Sequence, residues 1–292
     1  MKTSKLAKAF RVDSGKRFKL KEYATAGGGH GCSRENSEKD LQEGVERLSD
    51  LQDKLYAQDR WSLLLIFQAM DAAGKDGAIA HVMSGVNPQG CQVYSFKAPS
   101  ARELQHDFLW RTTACLPERG HIGIFNRSYY EEVLVVRLHP ELLKNESIPD
   151  SLATKDLWQE RFEDIRNFET HMARNGTVIR KFFLHVSKKE QKQRFLARLD
   201  QPEKNWKFSA GDIHERQRWD DYQNAYEDMI RNSATRDAPW YVIPADHKWF
   251  TRLAVSAVIV DTLQELKLAY PTVDRAKRKE LAGAKKLLRK EG

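Results

Sequence analysis

Cysteine is scarce in this chain: three in 292 residues, Cys32, Cys91 and Cys115, far apart and without a Cys-x-x-Cys spacing. An odd, scattered set excludes a disulfide framework and a cysteine-rich zinc site, and it suits a reducing compartment, the cytoplasm. Long apolar runs are missing as well. The longest stretches, 63–67 and 255–260, fall far below the ~18 residues that span a bilayer. The first eleven residues are basic but carry no apolar run, so no secretory leader is expected there. Internal repeats and low-complexity tracts are absent. Acid is in deficit: 41 Asp+Glu against 49 Lys+Arg leave a formal charge of +8. Such a balance favours a polyanionic partner, whether nucleic acid, an anionic membrane surface or a phosphate-rich substrate. At 40% hydrophobic residues there is material for a sizeable core and too much for general disorder.

Residues 1–35, with interspersed charges and the turn Gly27-Gly28-Gly29-His30-Gly31, read as an N-terminal arm. A domain over 36–270 follows. Ser37 and Asp40 give a capping signal, after which Leu41, Val45, Leu48, Leu51 and Leu55 recur at helical spacing. The apolar run 62–67 reads as a buried strand feeding a turn. Strands are then predicted at 91–96, 121–125, 177–186 and 240–243, with helices at 78–83, 101–115, 154–175, 188–199 and 247–269. Apolar strands alternating with helices specify a mostly parallel five-stranded sheet covered on both faces. The polar, aromatic stretch 202–233 interrupts the alternation and is a candidate lid. Residues 271–292 form a basic tail, read either as a solvated helix or as a dock for a polyanion.

The strongest chemical signal is Ala69-Met70-Asp71-Ala72-Ala73-Gly74-Lys75-Asp76-Gly77, between a predicted strand and a predicted helix. Its spacing matches Gly-x-x-x-x-Gly-Lys, a loop whose backbone N–H groups and helix N-terminus surround phosphate oxygens while a lysine adds a point charge. Residues 72–77 are therefore the candidate phosphate cradle. Two positions depart from the pattern. Ala69 replaces the first glycine, and Asp76 replaces the Ser/Thr whose hydroxyl touches Mg²⁺. Asp71 brings a carboxylate into the loop, where phosphates repel it unless a cation lies between. It is expected to hold metal or to accept from a phosphoryl-receiving oxygen. The bland alternative is an ordinary turn with Lys75 in solvent.

A second polar cluster ends the strand at 121–125: Phe125-Asn126-Arg127-Ser128-Tyr129-Tyr130-Glu131. Arg127 has the fork for a phosphate, and Glu131, four residues on, offers a carboxylate where Asn126 lacks one. Arg137 follows on the same predicted helix. An exposed ion pair between Arg127 and Glu131 is the plain alternative. Arg194 and Arg198, four apart, share a helix face and repel unless they meet an anion or carboxylates. A solvated basic face is the commoner meaning of such a run.

These residues resemble a known family. The loop 68–77 resembles the Walker A segment of polyphosphate kinases of the second family, and 125–131 their Walker B segment. Asn205-Trp206-Lys207-Phe208-Ser209 with Asp212 resembles the start of their lid, and 238–248 their last core strand and the turn after it. The likeness runs from about 40 to 268. It implies a P-loop kinase-like, three-layer α/β/α enzyme that moves phosphate between inorganic polyphosphate and a nucleotide with Mg²⁺, or Mn²⁺ in its place. The family's loop aspartate and lysine fall on Asp71 and Lys75, and its Walker B arginine on Arg127. Its usual Walker B aspartate falls on Asn126, a departure. The pair Asn126 and Glu131 is similar to the third class of the family, associated with phosphorylating both AMP and ADP.

Under that resemblance the catalytic residues are Asp71, Lys75, Arg127, Glu131 and Arg194, with Asp71 and Glu131 on the metal. The polymer lies on residues 72–77 and Arg198, and the nucleotide meets Asn126, Arg127 and Arg137. Adenine and guanine nucleotides are the expected acceptors. A homodimer or homotetramer is implied, and neither nucleic acid nor a membrane is an expected partner. Two rivals share some of these features. One is an ATP-dependent nucleoside monophosphate kinase of the thymidylate kinase kind. The other is a nucleic-acid-binding module with a decayed loop, against which stands the lack of any base-reading motif.

Overall fold

The structure is a computed structural model that describes residues 3–206, 208, 209 and 211–291. Lys207 of the lid motif lies outside the described residues, as do Met1 and Lys2 of the expected arm and Gly292 of the tail. In chain order the elements are α1 (Thr3–Phe10), β1 (Arg11–Val12), α2 (Ser37–Gln58), β2 (Ser62–Gln68), α3 (Lys75–Val82) and β3 (Cys91–Ser95). Next come α4 (Trp110–Thr113), β4 (Ile122–Asn126), α5 (Pro140–Leu143), α6 (Leu157–Arg174), β5 (Thr177–His185) and α7 (Lys188–Asp200). The chain closes with α8 (Pro202–Asn205), α9 (Gly211–Gln217), α10 (Trp219–Ser233), β6 (Trp240–Pro244), α11 (Lys248–Glu265) and α12 (Arg275–Leu288).

The strands form one sheet in the order β1-β6-β5-β2-β4-β3. All neighbours are parallel except β1, which runs antiparallel to β6 with Val12 opposite Trp240. β2 sits in the middle, and each of its seven residues is buried, as an unbroken apolar strand covered on both faces must be. Adjacent residues of β5 point to opposite faces, and their partners identify the two helical layers. Arg180 bonds Thr262 and pairs with Glu265 of α11. Lys181 bonds Glu169 of α6 and the Ser233 carbonyl of α10. α11 packs against α1, α2 and α3 on its side of the sheet. There the α2–α11 approach is close enough that a Cβ on Gly44 would lie 2.5 Å from the Ser256 hydroxyl.

The expected α/β architecture is present, with three differences. The sheet has six strands among the described residues, not five, because a two-residue strand has no periodic pattern to betray it. The segment expected as an arm is built into the domain: α1 buries Leu6, Ala7 and Phe10, and Phe18 and Leu20 join the same core. The helix expected over 101–115 is broken into a 3-10 turn, Glu103–Gln105, and the short α4. The Asp107 carboxylate accepts from the backbone N–H of Leu109 between them, a local bond that competes with helix.

Candidate active site

The turn after β2 and the turn after β4 open side by side, because β2 and β4 are hydrogen-bonded neighbours with Phe67 opposite Asn126. Ligands in open parallel sheets lie in the crevice at such strand ends. Here the crevice is a cleft of about 800 Å³ lined by residues 71–78, the turns after β3 and β4, and parts of α7, α8 and α11. The loop holds two unusual backbone positions. Ala72 has φ 60° and Gly74, the residue before α3, has φ 102°. These left-handed positions turn the chain sharply enough to aim it at the first turn of α3. Arg127 also sits at φ 65°, a strained position of the kind that clusters at functional sites.

Arg127 is the hub. Its guanidinium donates to Asp71 at 2.9 Å and to Glu131 at 3.3 Å, so one cation holds carboxylates from two strand ends. Glu131 is fixed a second time by the Gln68 amide at 3.1 Å. The Glu131 carboxylate first, and Asp71 after it, push the Arg127 pKa up against the opposing effect of burial. Lys75 is buried and its Nζ donates to the Ala69 carbonyl at 3.0 Å, closing the loop on itself. Burial, and then the neighbouring Arg127, push its pKa down. Asn126 does not take the place of a metal-facing aspartate: its amide donates to Asp76 at 2.7 Å. That bond ties the β4 strand end to the first turn of α3.

Arg194 and Arg198 diverge despite their common face. Arg194 is buried. It donates to the Ala72, Ala73, Ala245 and Asp246 carbonyls at 2.6–3.1 Å and to Glu190 at 2.8 Å. It thus fastens the loop to the turn after β6. Arg198 lines the cleft, with a 3.8 Å ion pair to Asp212 and its guanidinium 5.5 Å from the centre of the Phe195 ring. Gln191 adds a bond to the Asp71 carbonyl at 2.9 Å. Arg137 is not among the cleft-lining residues. It pairs with Asp228 of α10 at 3.0 Å. The chain between Glu131 and Arg137 is a π-helix, Glu132–Val136, whose wider turn changes the register that an α-helix would give.

Sequence reasoning missed the opposite wall. Lys97, Lys204, Lys248 and Arg252 line the cleft, and among the described residues only Lys204 of these four has a side-chain hydrogen bond, to Gln201. Burial, and then Arg194, Lys204 and Arg252, push the Lys248 pKa down, the mark of cations gathered without enough counter-charge. Single lysines carry no sequence signal. Only Lys248 and Arg252, four apart after the last strand, offered one. Behind the site lies a further group. Tyr129 and Tyr130 donate to Glu169 at 2.9 and 2.8 Å, and Lys181 donates to Glu169, the Tyr130 hydroxyl and the Ser233 carbonyl. Lys181 and Glu169 are 0% and 1% exposed.

A parallel α/β/α core with a lysine-bearing glycine turn, a cation-walled cleft and a helical cover defines a P-loop kinase-like enzyme. Comparison with known proteins places it more narrowly. The family description Polyphosphate kinase 2 (PPK2) matches residues 31–270, and the chain belongs to that family. It is 58% identical over 275 residues to an ADP-polyphosphate phosphotransferase of Rhodopseudomonas palustris, covering 94% of this chain and 95% of the relative. It is 49% identical over 233 residues to an AMP/ADP-polyphosphate phosphotransferase of Meiothermus ruber, covering 80% and 83%. The crystal structure of Polyphosphate Kinase 2 from Arthrobacter aurescens TC1 superposes with a TM-score of 0.87 at 38% identity, covering 97% of this chain and 98% of that one.

Proposed function

We propose that this chain is a polyphosphate-dependent nucleotide phosphotransferase that moves phosphate between inorganic polyphosphate and AMP or ADP, with GMP and GDP as further acceptors. The observation that carries the reading is the Asp71–Arg127–Glu131 bridge above the loop 69–77, in a cleft with an excess of cations. The polymer end lies over residues 72–77, where backbone N–H groups and Lys75 receive its oxygens. The acceptor's terminal phosphate meets Arg127. An oxygen of that phosphate attacks the terminal phosphorus of the polymer in line. One P–O bond forms, the adjoining P–O–P bond breaks, and the shortened polymer leaves as an oxyanion. The attacking phosphate is already largely ionised near pH 7, so no strong general base is required. Positioning and charge neutralisation do the rest.

The residues fit a magnesium ion. No group of three or more His, Cys, Asp or Glu among the described residues makes a self-contained metal cage. Mg²⁺ instead takes one or two carboxylates together with substrate phosphates and water. Asp71 lines the cleft; Glu131 is not among the lining residues and meets Asp71 through the shared Arg127 guanidinium, so Asp71, with Glu131 beside it, would hold the ion. When bound there, Mg²⁺ (or Mn²⁺) neutralises charge on the transferring phosphoryl group. Arg194 acts as a positioning residue for the loop, and Arg198 faces the polymer. A homodimer or homotetramer in the cytoplasm completes the reading. Among the described residues no helix is long and apolar enough to cross a membrane.

The test supplies polyphosphate and Mg²⁺ with AMP, ADP, GMP or GDP and no ATP. Formation of ATP from ADP, and of ADP from AMP, supports the proposal. Transfer from ATP to a monophosphate with none from polymer contradicts it. Glu131→Asn is expected to impair AMP phosphorylation more than ADP phosphorylation; equal losses would remove the basis for a dual acceptor range.

A further inference from the structure

The helix α12 has no role in the cleft, yet it is the most strongly charged element of the chain. Every described residue from 271 to 291 is exposed, and α12 buries none of its residues against the domain. It is nevertheless a formed helix, capped by Asp274, whose carboxylate accepts from the Lys277 backbone N–H at 2.7 Å. At 100° per residue, Arg275, Arg278, Lys279, Lys285, Lys286 and Arg289 fall within about a third of the circumference. The opposite face carries Leu281, Ala284, Leu287 and Leu288. That face is interrupted by an ion pair, Lys277 to Glu280 at 2.6 Å.

The ion pair decides between occupants. Burying the leucine face in lipid or against a dry protein surface would take Lys277 and Glu280 out of water at a cost their attraction does not recover. The apolar face also lacks the aromatic anchors that interfacial helices use. The cationic face has no such conflict. An aligned row of like charges is unfavourable unless an anion meets it, and the substrate of this enzyme is a flexible chain with a negative charge on every phosphate. A cleft of about 800 Å³ holds only the end of a long chain and leaves the rest in solvent.

We propose that the cationic face of α12 is a second, distal binding surface for inorganic polyphosphate, engaging the part of a long polymer that extends beyond the cleft. The inference rests on the polyphosphate activity proposed above. α11 runs 18 residues from the cleft wall at Lys248 to Glu265, about 27 Å. Nine residues, 266–274, then join it to α12. Leu266 and Leu268 pack against the core, and the stretch beyond them, 269–274, allows roughly 20 Å of further reach. Anchoring one stretch of a polymer raises the effective concentration of the rest at the cleft, without adding any contact to the reacting end. Long chains gain from the tail and short ones do not.

The experiment uses the full-length chain with Arg278, Lys279, Lys285, Lys286 and Arg289 all changed to Gln, which preserves helix propensity. KM for a polymer much longer than the cleft is expected to rise roughly fivefold to tenfold. KM for a short oligophosphate, KM for ADP and kcat stay at their wild-type values, and the salt dependence of the long-polymer KM becomes shallower. A control carrying Leu281→Ser, Leu287→Ser and Leu288→Ser is expected to match the wild type on both polymers. Calorimetric titration with the same two polymers reads binding without turnover. The proposal is overturned if long and short polymers remain as far apart as in the wild type. It is also overturned if the leucine variant loses oligomeric state and long-polymer affinity together, which would make a second copy the occupant. Wild-type binding to phosphatidylserine vesicles, lost in the Gln variant with KM unchanged, would assign the face to a membrane and overturn it too. Should the wild type transfer phosphate from neither polymer while calorimetry still separates the two lengths, the reading of the cleft fails and the tail proposal stands.

Discussion

The floor and the rim of the cleft are both rich in nitrogen donors, but they are built in opposite ways. On the floor nearly every donor has a protein acceptor. Lys75 holds the Ala69 carbonyl, Asn126 holds Asp76, Arg127 holds two carboxylates, and Arg194 holds four backbone carbonyls. On the rim, Lys97, Lys248 and Arg252 make no side-chain hydrogen bond or ion pair among the described residues, and Arg198 has a single long ion pair beside the Phe195 ring. Floor and rim thus divide the labour. A satisfied floor fixes the geometry in which a phosphoryl group is transferred, as preorganised sites require. An uncompensated rim stores unfavourable charge repulsion that a polyanion relieves on binding.

The sharpest way to break this division is to remove floor groups. Asp71→Ala and Lys75→Ala are each expected to lower kcat by about a thousandfold or more while thermal unfolding stays near that of the wild type. A fully active Asp71→Ala enzyme would contradict the mechanism. Beneath the floor, Lys181→Met leaves the buried Glu169 without its cation and is expected to destabilise the fold by about 3–5 kcal/mol in denaturant titration. A neutral result would mean that the tyrosine hydroxyls suffice for Glu169.

Next in size, Arg194→Lys keeps the charge but loses the planar fork that reaches several carbonyls. Its kcat is expected to fall roughly tenfold to a hundredfold with little change in KM, whereas Arg198→Gln should act mainly on KM for polymer. The reverse pattern would interchange their roles. On the rim, Lys248→Gln with Arg252→Gln is expected to raise KM for polymer severalfold, with a shallower salt dependence and an unchanged kcat. The smallest effect is in pH. Because burial lowers the Lys75 pKa, its charge is lost at lower pH than that of an ordinary lysine, so phosphate affinity weakens as pH rises through that value. Lys75→Arg, always charged, is expected to remove this alkaline loss whatever it does to kcat. Persistence of the loss would assign it to another group.

Much of this contrast is legible in the amino-acid sequence. The strand 62–67, its turn and Lys75 were visible because an apolar run, a glycine and a lysine follow one another within a few residues. Arg127 and Glu131 were visible because they close a second apolar strand. What stayed hidden depends on distance in sequence. β1 is two residues long and gains its place only by pairing with Trp240 and Tyr241. The rim lysines look like solvated side chains until folding gathers positions 97, 204 and 248 around one cleft. Arg194 and Arg198 share a pattern, and only the carbonyls of 72, 73, 245 and 246 reveal which of the two is structural. Arg137 follows a π-turn that hydrophobic periodicity does not announce, and it pairs with Asp228.

Whether the loop 69–77 grips condensed phosphate can be seen in a crystal structure with a non-hydrolysable polyphosphate analogue and Mg²⁺. Phosphate oxygens are expected against the backbone N–H groups of residues 72–77, with the Lys75 amine withdrawn from the Ala69 carbonyl and turned onto the ligand. An intact Lys75–Ala69 bond, with the polymer bound away from that loop, would contradict that grip.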